Sequence, residues 1–163
     1  MNAKRITLTV ALATILSAAP VLADQPAEVP DPERAAELHA QAEALFSQPK
    51  QWKKAVRLLE QSAELRGAED PEAYDCLVYA GRIRAAIGDF SAARSNMLKA
   101  ADHALARGAV IDAANALIDA AHASVELKDA RKARDLVERA ELLAASPLLS
   151  MEQRARLMAR LSV

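Results

Sequence analysis

Helix-forming sequence in this chain is broken at intervals, and the breaks constrain the fold more than any other feature. Asp31-Pro32 and Asp70-Pro71 each pair a helix-capping side chain with a proline suited to the first turn, where the missing N–H has no partner to lose. Gly88-Asp89 stops one helix and starts the next. Gly67 and Gly108 are further stops, and Lys128-Asp129 and Ser150 further starts. Between the breaks alanine dominates, and only 4 of the 163 residues are glycine, so helix is favoured almost everywhere. No segment alternates apolar and polar residues between turn signals, so no strand is expected. The expected helices run from Asp31 to about Phe46, about Gln51 to Gly67, Asp70 to Ile87, Asp89 to about Arg107, about Val110 to Leu127, about Ala130 to Ala145, and Ser150 to about Leu161. The expected fold class is all-α.

These helices pair, and the pairs overlay. Trp52, Phe90 and Ala130 fall in register at steps of 38 and 40 residues. Ala55, Ala93 and Ala133 then coincide, as do Leu59, Met97 and Val137, and the small residues Ser62, Ala100 and Ala140. In the preceding helices Ala42, Ala80 and Ala120 coincide. The overlay makes Lys50-Gln51-Trp52 and Lys128-Asp129-Ala130 weaker copies of the hairpin hinge Gly88-Asp89-Phe90. In that hinge, Phe90 plugs the space where two helices diverge. Trp52 is expected to be buried as a large core residue.

The middle unit, with Leu77, Ala80, Gly81, Gly88-Asp89-Phe90, Ala93, Met97 and Ala100 in order, resembles a tetratricopeptide repeat. It departs from that family at Leu77, Ala80 and Arg84, which stand where an aromatic, Leu and Tyr are usual. The steps also exceed the family's 34 residues by about a turn of helix. The resemblance implies an antiparallel helix-hairpin solenoid over 31–163. Its units would be about 31–67, 70–108 and 109–146, followed by a capping helix over 150–161. Three stacked pairs are about the minimum that buries a continuous core. In the capping helix Met151, Ala155 and Met158 share a stripe expected to face the core, with Arg154, Arg156 and Arg160 largely elsewhere on a polar outer face. An amphipathic helix on a membrane surface is the alternative for this segment.

In tetratricopeptide repeats the first helix of each pair lines a concave groove. The resemblance therefore implies a polar, mostly acidic peptide groove of Glu37 and Gln41, then Asp75, Tyr79 and Arg82, then Asn115, Asp119, His122 and Glu126. The plain alternative is ordinary surface. Ala40 and Ala44 stand where chaperone-binding members carry a carboxylate clamp, so capture of a free C-terminus is not expected.

Before the helices stands an apparent address. Lys4 and Arg5 precede the uncharged, mostly apolar run Ile6 to Ala19, and Val21-Leu22-Ala23 offers small residues for cleavage. This is the order of a secretory signal peptide over 1–23, followed by a tether over 24–30. The run is too short for a membrane span, so no span is expected after cleavage. A periplasmic or secreted location follows. Loss of Lys4 and Arg5 with the leader lowers the net charge from −1 to −3, which does not recommend nucleic acid as a partner.

Chemistry finds little purchase. Cys76, the single cysteine, allows no intramolecular disulfide. Its stripe with Ala80, Ile83 and Ile87 suits a small buried apolar side chain, the alternative being a cross-link between two chains. His39, His103 and His122 lie far apart in sequence. Asp119, His122 and Glu126 share one helix face, but a di-iron bundle needs a matching Glu-x-x-His on a second helix, and none is present. No cofactor, metal or enzymatic activity is expected. The expected role is a scaffold that binds another protein. A structural bundle or homo-oligomer is the alternative, with a ligand carrier or enzyme behind it. N-terminal sequencing of the exported protein is expected to begin at Asp24; an intact Met1 would refute cleavage.

Overall fold

The computed structural model describes residues 30–162, so the signal peptide and nearly all of the tether lie outside the described residues. Within them the chain forms seven α-helices and no strand: α1 Pro32–Glu43, α2 Trp52–Arg66, α3 Pro71–Ala86, α4 Phe90–Ala106, α5 Val110–Glu126, α6 Ala130–Ala144 and α7 Met151–Leu161. The starts follow from capping. Asp31, Asp70, Asp89 and Asp129 accept hydrogen bonds from the backbone N–H of Arg34, Glu72, Ala92 and Lys132. Ser150 and Gln153 form a reciprocal capping box at α7.

Three turns share one geometry. In each, a positive-φ residue donates its N–H to the carbonyl three residues back, and the next residue donates to the carbonyl five back. The pairs are Gly88 to Ala85 with Asp89 to Arg84, Gly108 to Leu105 with Ala109 to Ala104, and Lys128 to Val125 with Asp129 to Ser124. This is the Schellman arrangement, which satisfies the last carbonyls of the helix. Asp89 and Asp129 therefore close one helix with the backbone and open the next with the side chain. Gly88-Asp89 and Lys128-Asp129 are the same hinge, as the overlay predicts, although Lys128 holds φ 58° without being glycine.

The first hairpin is built differently. α1 ends at Glu43, short of Phe46, and a 3₁₀ turn over Pro49–Gln51 leads into α2 with no side-chain cap. Trp52 is half-buried rather than a core residue, because its indole N–H is held at the turn by the Phe46 carbonyl at 2.9 Å. Lys50-Gln51-Trp52 is thus not a copy of the later hinges. Gly67 does end α2, but at φ 74°, ψ 172°, an extended mirror conformation rather than a left-handed helical one.

Each helix packs on its sequence neighbours, and alternate helices also touch through side chains. Along the odd-numbered helices Cys76 Sγ meets His39 Nδ1 at 3.9 Å, and Tyr74 Oη donates to the Asp112 carbonyl at 3.2 Å. These partners lie 37 and 38 residues apart, close to the steps of the sequence overlay. The overlaid small positions share one environment. Ala42, Ala80 and Ala120, then Ala55, Ala93 and Ala133, then Ser62, Ala100 and Ala140 are all buried. The third large position departs slightly: Leu59 and Met97 are buried, whereas Val137 is only partly so. Ser62 keeps its burial by donating to the Ala35 carbonyl at 2.8 Å.

α7 departs furthest from expectation. Met151 is 87% exposed and Met158 49%, while Leu157 is buried and Leu161 packs against the core. The helix is rotated so that the stripe of Leu157, Arg160 and Leu161 faces inward.

The shared turn geometry makes a paired stability prediction. Lys128→Gly removes the steric penalty of a left-handed L-residue and should stabilise the fold by about 0.5–1 kcal/mol. Gly88→Ala adds that penalty, with no atom within 4 Å of the new Cβ to clash, and should lower stability by about 1 kcal/mol. Urea denaturation of both variants checks this; shifts of the same sign would refute a shared hinge.

Candidate functional site

The residues of the expected groove lie on α1, α3 and α5, but they do not form one continuous set. Glu37 pairs with Arg34 at 2.7 Å on the exposed face of α1, and Gln41 is exposed with no side-chain hydrogen bond to another helix among the described residues. Asp75 and Tyr79 are exposed on α3, and Tyr79 meets the Phe46 ring at 6.0 Å between centroids. Arg82, Asp119, His122 and Glu126 converge at the rim of a cleft of about 280 Å³ between α3 and α5.

The cleft exists because its floor is made of small side chains. Gly81, Ala85, Ala93 and Ala123 line it with Met97 and Phe90. A Cβ at Gly81 would lie 2.8 Å from Met97 Cε, so glycine lets α3 and α4 approach and leaves the methionine in place. Phe90 lines this cleft at the start of α4 and is half-buried. The result is an apolar slot with a charged edge: Arg82 Nη2 lies 3.8 Å from Asp119 Oδ2, and His122 and Glu126 are exposed beside them.

Asn115 and Asp119 hold a side chain that the sequence pattern places elsewhere. Arg160 of α7, expected on an outer polar face, donates from Nη1 to Asn115 Oδ1 and from Nη2 to Asp119 Oδ1. The signal was available in sequence. Arg160 lies three residues after Leu157 and beside Leu161, so any rotation that buries those leucines brings the arginine inward.

A second polar network, with no signal in the sequence, links α2, α3 and α4. Arg84 binds Glu60 with two nitrogens at 3.0 and 3.1 Å and reaches Asp89 at 2.9 Å. Asn96 donates to the same Glu60 at 2.9 Å. Glu60, Arg84 and Asn96 border a cavity of about 540 Å³ between α2 and α4.

Electrostatics separate these groups by role. Burial pushes the Cys76 thiol up, partly opposed by its hydrogen bond to Ser62, so it stays protonated and a poor nucleophile. Partial loss of water around its carboxylate, then the Asp112 charge, raises Asp75, although the residue as a whole is exposed. Burial, followed by Arg107, holds His103 below its ordinary range. Among the described residues no group of three or more His, Cys, Asp or Glu is arranged to hold a metal ion, and no helix is long and apolar enough to cross a membrane. The chain matches no protein-family model, no curated protein and no solved structure.

Tyr74 gives a pH prediction. Burial, then the charges of Asp112, Asp119 and Asp75, push its phenol from 10.0 to about 12. The neutral phenol is favoured in the fold, so its contribution is fully present below the unfolded value and lost as pH rises through the folded one. The gap in urea midpoint between the native protein and Tyr74→Phe should therefore narrow as pH rises from about 10 to about 12. A constant gap would count against a phenol held neutral by the fold.

Proposed function

We propose that this chain is a non-catalytic scaffold of the bacterial cell envelope. In this reading it is a tetratricopeptide-like solenoid that takes a segment of another protein along the concave face of α1, α3 and α5. The near-constant spacing of contacts between alternate helices supports the repeat assignment. The envelope location rests on the composition of residues 1–23. Fold by itself leaves function open, so the observation that carries the reading is the cleft between α3 and α5. An apolar floor with a few convergent polar groups at its edge is the usual form of a recognition site. Here the edge supplies Arg82, Asp119, His122 and Glu126.

A second reading has its own support. Leu142, Leu148 and Met151 are 75%, 79% and 87% exposed near the C-terminal end, which favours assembly of like chains through that end. Light scattering separates the two, since a stable homo-oligomer abolished by Met151→Glu would favour the second.

The docking face is tested by a photo-crosslinking residue placed at His122, with the same residue at exposed Lys54 on α2 as control. An adduct is expected from position 122 in the envelope fraction and not from position 54. Glu126→Lys combined with Asp75→Lys should reduce that adduct several-fold. Equal labelling from both positions, or indifference to the charge reversals, would refute the reading.

A further inference from the structure

On α5, Asn115 and Asp119 stand one helical turn apart and offer their Oδ1 atoms to the two terminal nitrogens of one guanidinium, that of Arg160. Recognition by two nitrogens held in a rigid plane is what an arginine can satisfy and a lysine ammonium cannot. The other Asp119 oxygen faces Arg82 at 3.8 Å, so the carboxylate is fixed from both sides. Asp119 is 18% exposed and Arg160 39% exposed, so the pair is formed at an accessible edge.

The arm that carries Arg160 is lightly held. Leu157 is the single buried residue of α7, and Met151 and Met158 point to solvent. Asp119 also borders the apolar cleft, which no residue of α7 lines. A side chain seated on Asn115 and Asp119 therefore has an apolar slot beside it.

We propose that Asn115 and Asp119 form an arginine-specific subsite of the docking face, filled in cis by Arg160. A partner segment presents an arginine that displaces Arg160 and an aliphatic side chain that enters the adjoining cleft. This rests on the reading of the α1, α3 and α5 face as a docking face. It adds the chemistry of the partner and makes α7 a built-in competitor. A site whose competent form is only partly populated binds with an apparent affinity lowered by that fraction, and removing the internal competitor restores it.

The test uses the full chain and two end-capped peptides, Gly-Arg-Ala-Leu-Gly and its lysine counterpart. The Arg160→Gln variant should bind the arginine peptide about ten-fold more tightly than the native protein does. The same variant should prefer arginine to lysine by about the same factor. The Asn115 side-chain amide resonance should shift on titration, and adding Asn115→Ala should abolish the gain. Leu157→Ala loosens α7 while leaving the subsite untouched, and should give the same gain, which guards against a folding defect in the first variant. Equal binding by the native and both released proteins, or equal binding of the two peptides, overturns the proposal.

The position-122 crosslink separates its failure from that of the docking face. If the adduct responds to Glu126→Lys while peptide binding ignores Arg160→Gln, the docking face stands and the arginine subsite falls. If the peptide results hold and the adduct ignores the combined Glu126→Lys and Asp75→Lys reversals, arginine still binds at Asn115 and Asp119, but the docking face falls and with it the proposal that they serve a partner there.

Discussion

Close approach of helices through small buried side chains is the constraint on which the rest depends. Ala42, Ala55, Ala80, Ala93, Ala120 and Ala133 are all buried. Interhelical distance depends on the side chains at the contact, and alanine sets it near the short end. Short separations bring alternate helices within reach of one another, so Tyr74 finds the Asp112 carbonyl and Asn96 finds Glu60. Gly81 carries the same logic furthest, since even a methyl group there would press on Met97. The cleft between α3 and α5 follows from this: a floor of small residues leaves room that larger ones would fill.

Two kinds of polar group hold the helices in register. Caps act locally: Asp89 and Asp129 each terminate one helix through the backbone and begin the next through the carboxylate. Ion pairs then tie those caps to neighbouring helices, Arg84 to Asp89 and Arg94 to Asp129. Pairs of this kind at the surface add little to stability, typically 0–1 kcal/mol, but they orient side chains. The Arg160 pair on Asn115 and Asp119 differs in consequence, because it joins an end helix to residues that also edge the cleft.

Much of the fold was legible because its signals are local. Caps, stops and the alanine-rich positions of the overlay are properties of a few adjacent residues, and they marked the helices to within a few positions. The first hairpin departs from the overlay, because Trp52 holds the register position of Phe90 although a 3₁₀ turn, not a Schellman turn, precedes it. In the candidate site, Arg82, Asp119, His122 and Glu126 do converge. Glu37 and Gln41 do not join them, since the overlay places residues on a helix face but says nothing of how far apart two helices stand.

The sequence by itself determined where most helices begin and end and that the overlaid small residues are buried, since capping and propensity act within a turn or two of chain. Only the tertiary structure decided the rotation of α7. Its sequence offers two apolar stripes at different angles, Met151-Ala155-Met158 and Leu157-Leu161, and nothing local chooses between them. The choice came from what α5 and α6 offer: a place for Leu157, and the Asn115 and Asp119 oxygens that draw in Arg160.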